Sequence, residues 1–168
     1  EKARHMIQQL SDFLRGTLKK EEHQLVSLRE EIHHLQLYLD IEKVRFGHRL
    51  QTVLEVEEKA ADMLIPVLLL QPVVENAIKF GLYDTTEEVL IRIIATANDD
   101  HLLEILIQNP FDPLTSVHTH GTGFGLASIA RRLYLMYARQ DLIKTEKKEQ
   151  LFSTHIVIPQ LNHESNHH

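Results

Sequence analysis

An amide and an ammonium three residues apart, Asn76 and Lys79, stand in the apolar run Leu70-Gln71-Pro72-Val73-Val74-Glu75-Asn76-Ala77-Ile78-Lys79-Phe80-Gly81. On a helix they share a face, and that face can hold a metal-phosphate. Further along, Gly121-Thr122-Gly123-Phe124-Gly125-Leu126 places three glycines at alternate positions ahead of a run with helical periodicity, Leu126 to Leu133. Bare backbone amides leading into a helix N-terminus favour an anion. Together the two stretches point to a bound nucleotide. The site is of neither the dinucleotide-binding nor the Walker kind: GTGFGL lacks the GxGxxG spacing, and no GK[ST] occurs.

The elements that must position these groups are bounded first by composition. A chain of 168 residues fits one domain of ordinary size with a helical appendage, and a domain of this order buries roughly 68–70% of its unfolded surface. Hydrophobic content of 43% and charged content of 25% are those of a soluble globular protein. The net charge of -6 argues against a nucleic-acid partner. The absence of cysteine excludes disulfides and thiolate chemistry. No apolar run reaches the roughly 18 residues of a membrane span. The opening Glu1-Lys2-Ala3-Arg4 reads as already inside a helix, so a piece of a longer protein is expected.

Met6, Leu10, Phe13, Leu14 and Leu18 recur at three- and four-residue steps, which predicts an amphipathic helix from residue 3 to about 20. Ser27-Leu28-Arg29-Glu30 matches a capping box. Leu28, Ile32, Leu35 and Leu39 then continue a second helix that Gly47 caps, over 27–46. This stripe is short for a coiled coil, and packing on its own domain is expected. Arg49 to Glu57 alternates imperfectly and reads as an edge strand. Pro66 fits the first turn of the central helix, which Gly81 ends. Pro72 inside that run implies either a kink or a new helix start, because it has no amide proton. Val89 to Ala97 and Leu102 to Gln108 flank Asn98-Asp99-Asp100-His101 and read as a β-hairpin. Asn109 to His120 has two prolines and no periodicity, and a loop of that length is commonly functional. A helix from Phe124 to Ala138 and strands at Leu142–Lys147 and Leu151–Ile158 complete the chain, the Lys144–Glu149 charge run being a hairpin turn. Short turns between neighbouring strands imply an antiparallel or mixed sheet with helices on one face, an α+β two-layer α/β sandwich with an N-terminal helical segment.

Tyr38-Leu39-x-Ile41-Glu42-x-x-Arg45-Phe46-Gly47-x-Arg49-Leu50, preceded by Leu28-x-x-Glu31 and followed by the Leu70–Lys79 run and the glycine box, resembles the LytS-type sensor histidine kinases from about residue 3 to 159. The resemblance implies a Bergerat (GHKL) ATP-binding domain over 25–160. It also implies a remnant of the dimerisation and phosphoacceptor stalk over 1–24 and a disordered tail or tag over 161–168. The implied activity is donation of the γ-phosphoryl of ATP, with Mg²⁺, to a histidine on a dimeric helical stalk, which passes it to a response regulator. The full-length protein would be a homodimer anchored in the inner membrane, with this part at the cytoplasmic face. The phosphoacceptor motif does not occur in this chain, and His5 lacks its surroundings. The alternative function is a degenerate, non-catalytic module of the same fold that binds a protein partner.

On the resemblance, Asn76 is the Mg²⁺-binding asparagine, whose side-chain oxygen suits a hard cation, and Lys79 touches the phosphates, with Phe80 beside them at the nucleotide. Gly121, Thr122, Gly123, Phe124, Gly125 and Leu126 form the second glycine box, and residues 110 to 123 the lid. The family's first glycine box, Asp-x-Gly-x-Gly, is here Asn109-Pro110-Phe111-Asp112-Pro113. Asn109 then replaces the adenine-reading aspartate, its amide oxygen still able to accept from the exocyclic amine. Hydrolysing members of the superfamily carry a water-activating glutamate where this chain has Pro72. Glu75 lies about 100° around the helix from Asn76 and is a poor substitute. That pattern favours a kinase over an ATPase. The twelve histidines show no zinc-site spacing, and His33-His34 is expected on a solvated helix.

Overall fold

Alternation along the branched runs decides which side of the molecule is covered. The computed structural model describes residues 1–18, 24–83, 85–114 and 123–161. In chain order these form α1 (Lys2–Leu18), β1 (Leu25–Ser27), α2 (Leu28–Phe46), a 3-10 turn (Gly47–Arg49), β2 (Leu50–Val56), α3 (Glu58–Ala61), β3 (Leu64–Pro66), α4 (Leu70–Leu82), β4 (Val89–Ala97), β5 (Leu102–Pro110), α5 (Gly123–Tyr137), β6 (Ile143–Lys148) and β7 (Leu151–Pro159). Five strands make one mixed sheet in the order β2-β4-β5-β7-β6. Only β2–β4 is parallel among these pairings, and the crossover it requires is the segment that carries α3, β3 and α4. On β4, Val89, Ile91, Ile93 and Ala95 are buried, and on β5 Leu103, Ile105, Ile107 and Asn109, while the residues between them keep some exposure. One face is therefore covered. The cover is made by Leu28, Leu35 and Leu39 of α2, by Val73, Val74, Ala77 and Ile78 of α4, and by Ile129 and Leu133 of α5. This is the two-layer α/β sandwich.

Local signals explain most boundaries. The Ser27 hydroxyl accepts from the Glu30 amide at 3.2 Å, capping α2, and Gly47 closes that helix by donating its amide to the Lys43 carbonyl. The Asn98 side-chain oxygen accepts from the amides of Asp100 and Leu102, which shapes the β4–β5 turn. The Lys144–Glu149 charge run is not a turn, since Lys144 to Lys148 belong to β6, and three further expectations need correction. Pro66 is not in a helix: it ends β3, which pairs antiparallel with β1 through Leu25↔Pro66, Val26↔Ile65 and Ser27↔Leu64. Strands of three residues cannot display an alternating pattern, and neither was foreseen. The central helix instead begins at Leu70, so Pro72 is its third residue and belongs to the first turn, where backbone amides have no intrahelical acceptor. Of the two options for that proline, a new helix start is the one realised.

The second correction concerns Gly81, which does not terminate α4, since the helix runs on to Leu82. A Cβ at Gly81 would meet Val89 Cγ1 at 2.7 Å. The glycine lets the start of β4 lie against the end of α4. The third concerns His34, which is buried on α2, stacked on Phe13 of α1 with ring centroids 4.7 Å apart, its Nε2 3.1 Å from Gln71 Oε1. Phe13 also packs on Tyr38, so one side of α1 docks on α2. Ile7, Leu10 and Leu14 on the same helix remain exposed.

Gly81→Ala should overpack this contact. A loss of about 1–3 kcal/mol is expected, read as a lower urea midpoint with an unchanged slope.

Candidate functional site

Helix α4 is held at its start by a carboxylate from another helix. Glu31, 3% exposed, lies on the apolar stripe of α2 between Leu28 and Leu35. Its two oxygens accept from the amides of Leu68 at 2.9 Å and Leu70 at 3.2 Å. Leu68 has φ of 56°, so the chain turns sharply there before the helix begins. A carboxylate at this place satisfies otherwise unpaired amides and suits the positive end of the helix dipole. The far end is tied as well: Arg49 Nη2 donates to the carbonyls of Leu82, at 2.9 Å, and Thr85.

Between these anchors, Asn76, Lys79 and Phe80 project from α4. The side-chain nitrogen of Asn76 is buried and has no hydrogen-bond partner among the described residues. It lies 3.0 Å from where a Cβ of Gly125 would stand, so the amide reaches the first turn of α5. Lys79 is exposed and forms no ion pair among the described residues. Glu75 turns the other way. Its carboxylate accepts from Gln71 at 2.8 Å, and its charge acts on α2, where Tyr38 is held well above the ordinary phenol range, by burial first and then by Glu42 and Glu75. Glu42 is raised by burial, with Glu75 adding to it and Arg45 opposing.

One turn along from Asn76, Phe80 reaches the sheet. Its ring centroid is 6.4 Å from that of Phe152 on β7, and Phe152 is the register partner of Asn109 on β5. Asn109 is 2% exposed, and its side-chain nitrogen donates to the Pro110 carbonyl at 2.9 Å. A carbonyl can only accept, so the nitrogen must face it and the amide oxygen is left for another donor. A cavity of about 300 Å³ opens here, lined by Phe80, Gly81, Pro110 and Phe111 among others. Thr154, 2% exposed and opposite Ile107 on β7, faces the same side as Asn109. No motif pointed to it, but it is the one hydroxyl on the inward row Phe152, Thr154, Ile156, Ile158.

A second cavity of about 300 Å³ lies between the start of α4 and α5, lined by Leu68, Leu69, Pro72, Gly125, Ser128, Ile129 and Arg132. No carboxylate or imidazole among the described residues lines it. Of the glycine box, Gly121 and Thr122 lie outside the described residues, as do 115–122 of the expected lid. Gly123 and Phe124 begin α5 by their backbone, and Leu126 packs against the core. Thus Asn76 meets Gly125 of α5, and Phe80, one turn on, meets Phe152, the register partner of Asn109.

A family model described as "Histidine kinase" matches residues 1–50. The chain is 32% identical over 174 residues to "Sensor protein LytS" of Oceanobacillus iheyensis, with 96% of the chain covered. It belongs to the LytS-type sensor histidine kinases. The chain spans 30% of the length of that relative. Its fold is similar to the nucleotide-free catalytic domain of histidine kinase ThkA, with a TM-score of 0.60 at 18% identity over 82% of this chain and 95% of that one. ThkA in complex with the response regulator protein TrrA is also similar, with a TM-score of 0.54 at 13% identity over 96% of this chain and 50% of that one. The sandwich is therefore the GHKL fold of histidine kinase catalytic domains.

Glu31→Gln should leave one backbone amide facing an NH₂ group. A loss of roughly 1–3 kcal/mol is expected, measured by chemical denaturation, with hydrogen exchange rising first at Leu68 and Leu70.

Proposed function

We propose that this domain binds Mg·ATP along α4 and donates the γ-phosphoryl to a histidine elsewhere in the full-length sensor kinase. The buried, unpartnered side-chain nitrogen of Asn76 against Gly125 carries this reading: as a donor it suits a phosphate oxygen, which leaves the amide oxygen for the metal. A polar group removed from water without a partner costs about 1–3 kcal/mol, and a site that awaits a ligand accounts for that cost. Asn76 and the triphosphate would hold the metal, in keeping with a cation that takes few protein ligands besides phosphate. Mg²⁺ would supply neutralisation of the phosphate charge. Lys79, exposed one turn on, adds a second cation. The start of α5 turns backbone amides toward the same place, and Asn109 offers its oxygen to the exocyclic amine of the base.

The reaction class follows from what is near Asn76. In the transfer, a ring nitrogen of the acceptor histidine forms a bond to the γ-phosphorus as the bridging oxygen leaves with ADP. That step needs positioning and charge neutralisation. Hydrolysis needs a base for water. Pro72 has no acid or base, the cavity beside it is lined by no carboxylate among the described residues, and Glu75 accepts from Gln71 of its own helix while its charge acts on Tyr38 and Glu42 of α2. The surroundings favour transfer to a protein.

The partners proposed are the dimerisation and phosphoacceptor helices, a second copy of the full-length protein, and a response regulator, as in the complex of ThkA with TrrA. The exposed Ile7, Leu10 and Leu14 on α1 suit the first two. No described helix is long and apolar enough to cross a membrane. We place this domain at the cytoplasmic face, with any anchor elsewhere in the full-length protein.

Isothermal calorimetry with Mg·ATP tests the proposal. A micromolar dissociation constant, about -8 kcal/mol, is expected for the wild type. Asn76→Ala should weaken it roughly 30-fold or more, the loss of about 2 kcal/mol. Gly125→Ala places a methyl 3.0 Å from Asn76 Nδ2, which must shift to admit it, and should also weaken binding. No binding by the wild type would instead support a non-catalytic module that acts through a protein partner.

A further inference from the structure

The family pattern Asp-x-Gly-x-Gly sets glycines two and four residues after the base-reading position. In this chain those places hold Phe111 and Pro113. The substitution adds a phenyl ring where the pattern has no side chain. Phe111 lies one residue beyond the end of β5, and its ring lines the cavity that opens beside Phe80. A T-shaped contact joins it to Phe152 at 6.4 Å, and Phe152 meets Phe80 at the same distance. The three rings form one apolar wall, each still partly exposed.

The β6–β7 hairpin, a charge run without a motif, fastens that wall. The Phe111 amide donates to the Gln150 carbonyl at 2.9 Å, and the Lys147 ammonium lies over the Phe111 ring, 5.6 Å from its centre. Around the same cavity stand the carboxylates of Glu87 and Glu88. An acidic rim repels phosphate and suits an uncharged ring that carries amine donors. Asn76 lies one turn back along α4 from Phe80.

We infer that Phe111, fixed by the β6–β7 hairpin, is the wall against which the purine base of the bound nucleotide rests, and that it replaces the flexible first glycine box with a rigid aromatic contact. The inference rests on the nucleotide reading proposed above. Phe111 acts on the base alone and leaves the phosphates untouched.

Calorimetry on wild type, Phe111→Ala, Phe111→Leu and Phe111→Tyr, each with Mg·ATP and with magnesium tripolyphosphate, separates the possibilities. Thermal melts verify that every variant is folded. Ala and Leu should each weaken ATP by roughly ten-fold, the scale of one base–aromatic stack, and tyrosine should restore it. Tripolyphosphate affinity should stay within about two-fold throughout. Unchanged ATP affinity in folded Phe111→Ala or Phe111→Leu, or an equal loss for tripolyphosphate, would overturn the assignment. If the wild type binds tripolyphosphate and ATP equally well, Phe111 is no base contact although the phosphate site stands. If it binds neither, the nucleotide reading itself has failed.

Discussion

A side-chain amide pressed against a residue that has no side chain is the contact on which the site depends. Asn76 Nδ2 stands 3.0 Å from the place a Cβ of Gly125 would take, and no group among the described residues satisfies it. Any larger residue at 125 must push the amide aside or the helices apart. Since buried polar groups are nearly always paired, an orphan at this position is informative. It marks the place where α4 and the start of α5 are arranged for something besides each other, and the proposed function names that something as a metal-bound triphosphate.

The contact can be kept only if α4 is held in position and register, and the chain holds it at both ends. At the start, Glu31 reaches from α2 to the amides of Leu68 and Leu70. At the finish, Arg49 grips the carbonyls of Leu82 and Thr85, and Gly81 lets β4 close against the last turn. Arg49 thus explains part of the Arg45-Phe46-Gly47-x-Arg49-Leu50 stretch: it works as a clamp on the helix that bears Asn76, Lys79 and Phe80. Groups carried by a pinned helix keep their mutual geometry better than groups on a loop. Docking of Phe13 on His34, with His34 Nε2 beside Gln71 in the first turn of α4, adds α1 to the same support.

Much of this was legible because long elements carry long patterns. The stripe of α2, the alternation of β4 and β5 and the periodicity of α5 each span several repeats. The pairing of Asn76 with the glycine box was readable because it joins unusual residue types in a fixed order. Three-residue strands β1 and β3 offered no repeat to read. Pro66 misled because proline suits both the first turn of a helix and the end of an edge strand. Glu31 was a missed signal: an acid on a stripe of buried leucines must have donors nearby, and unpaired amides at a helix start are one such source. His34 followed the same logic. Phe111 and Thr154 were silent, since their importance comes from the sheet bringing β5 beside β7, which no local pattern records.

The site has a direction along α4: an aromatic wall bearing Lys147, with Glu87 and Glu88 beside it, near the end of the helix, and Asn76 one turn back against Gly125 of α5. A ¹H–¹⁵N correlation spectrum of the labelled chain, titrated with Mg·ATP, tests this most directly. The account predicts that the side-chain NH₂ signals of Asn76 and the backbone amides of Gly123 and Gly125 shift together and saturate at one ligand per chain, while amides of the uncovered sheet face stay still. Saturable shifts that leave Asn76 unmoved, or that centre on another surface, would contradict it.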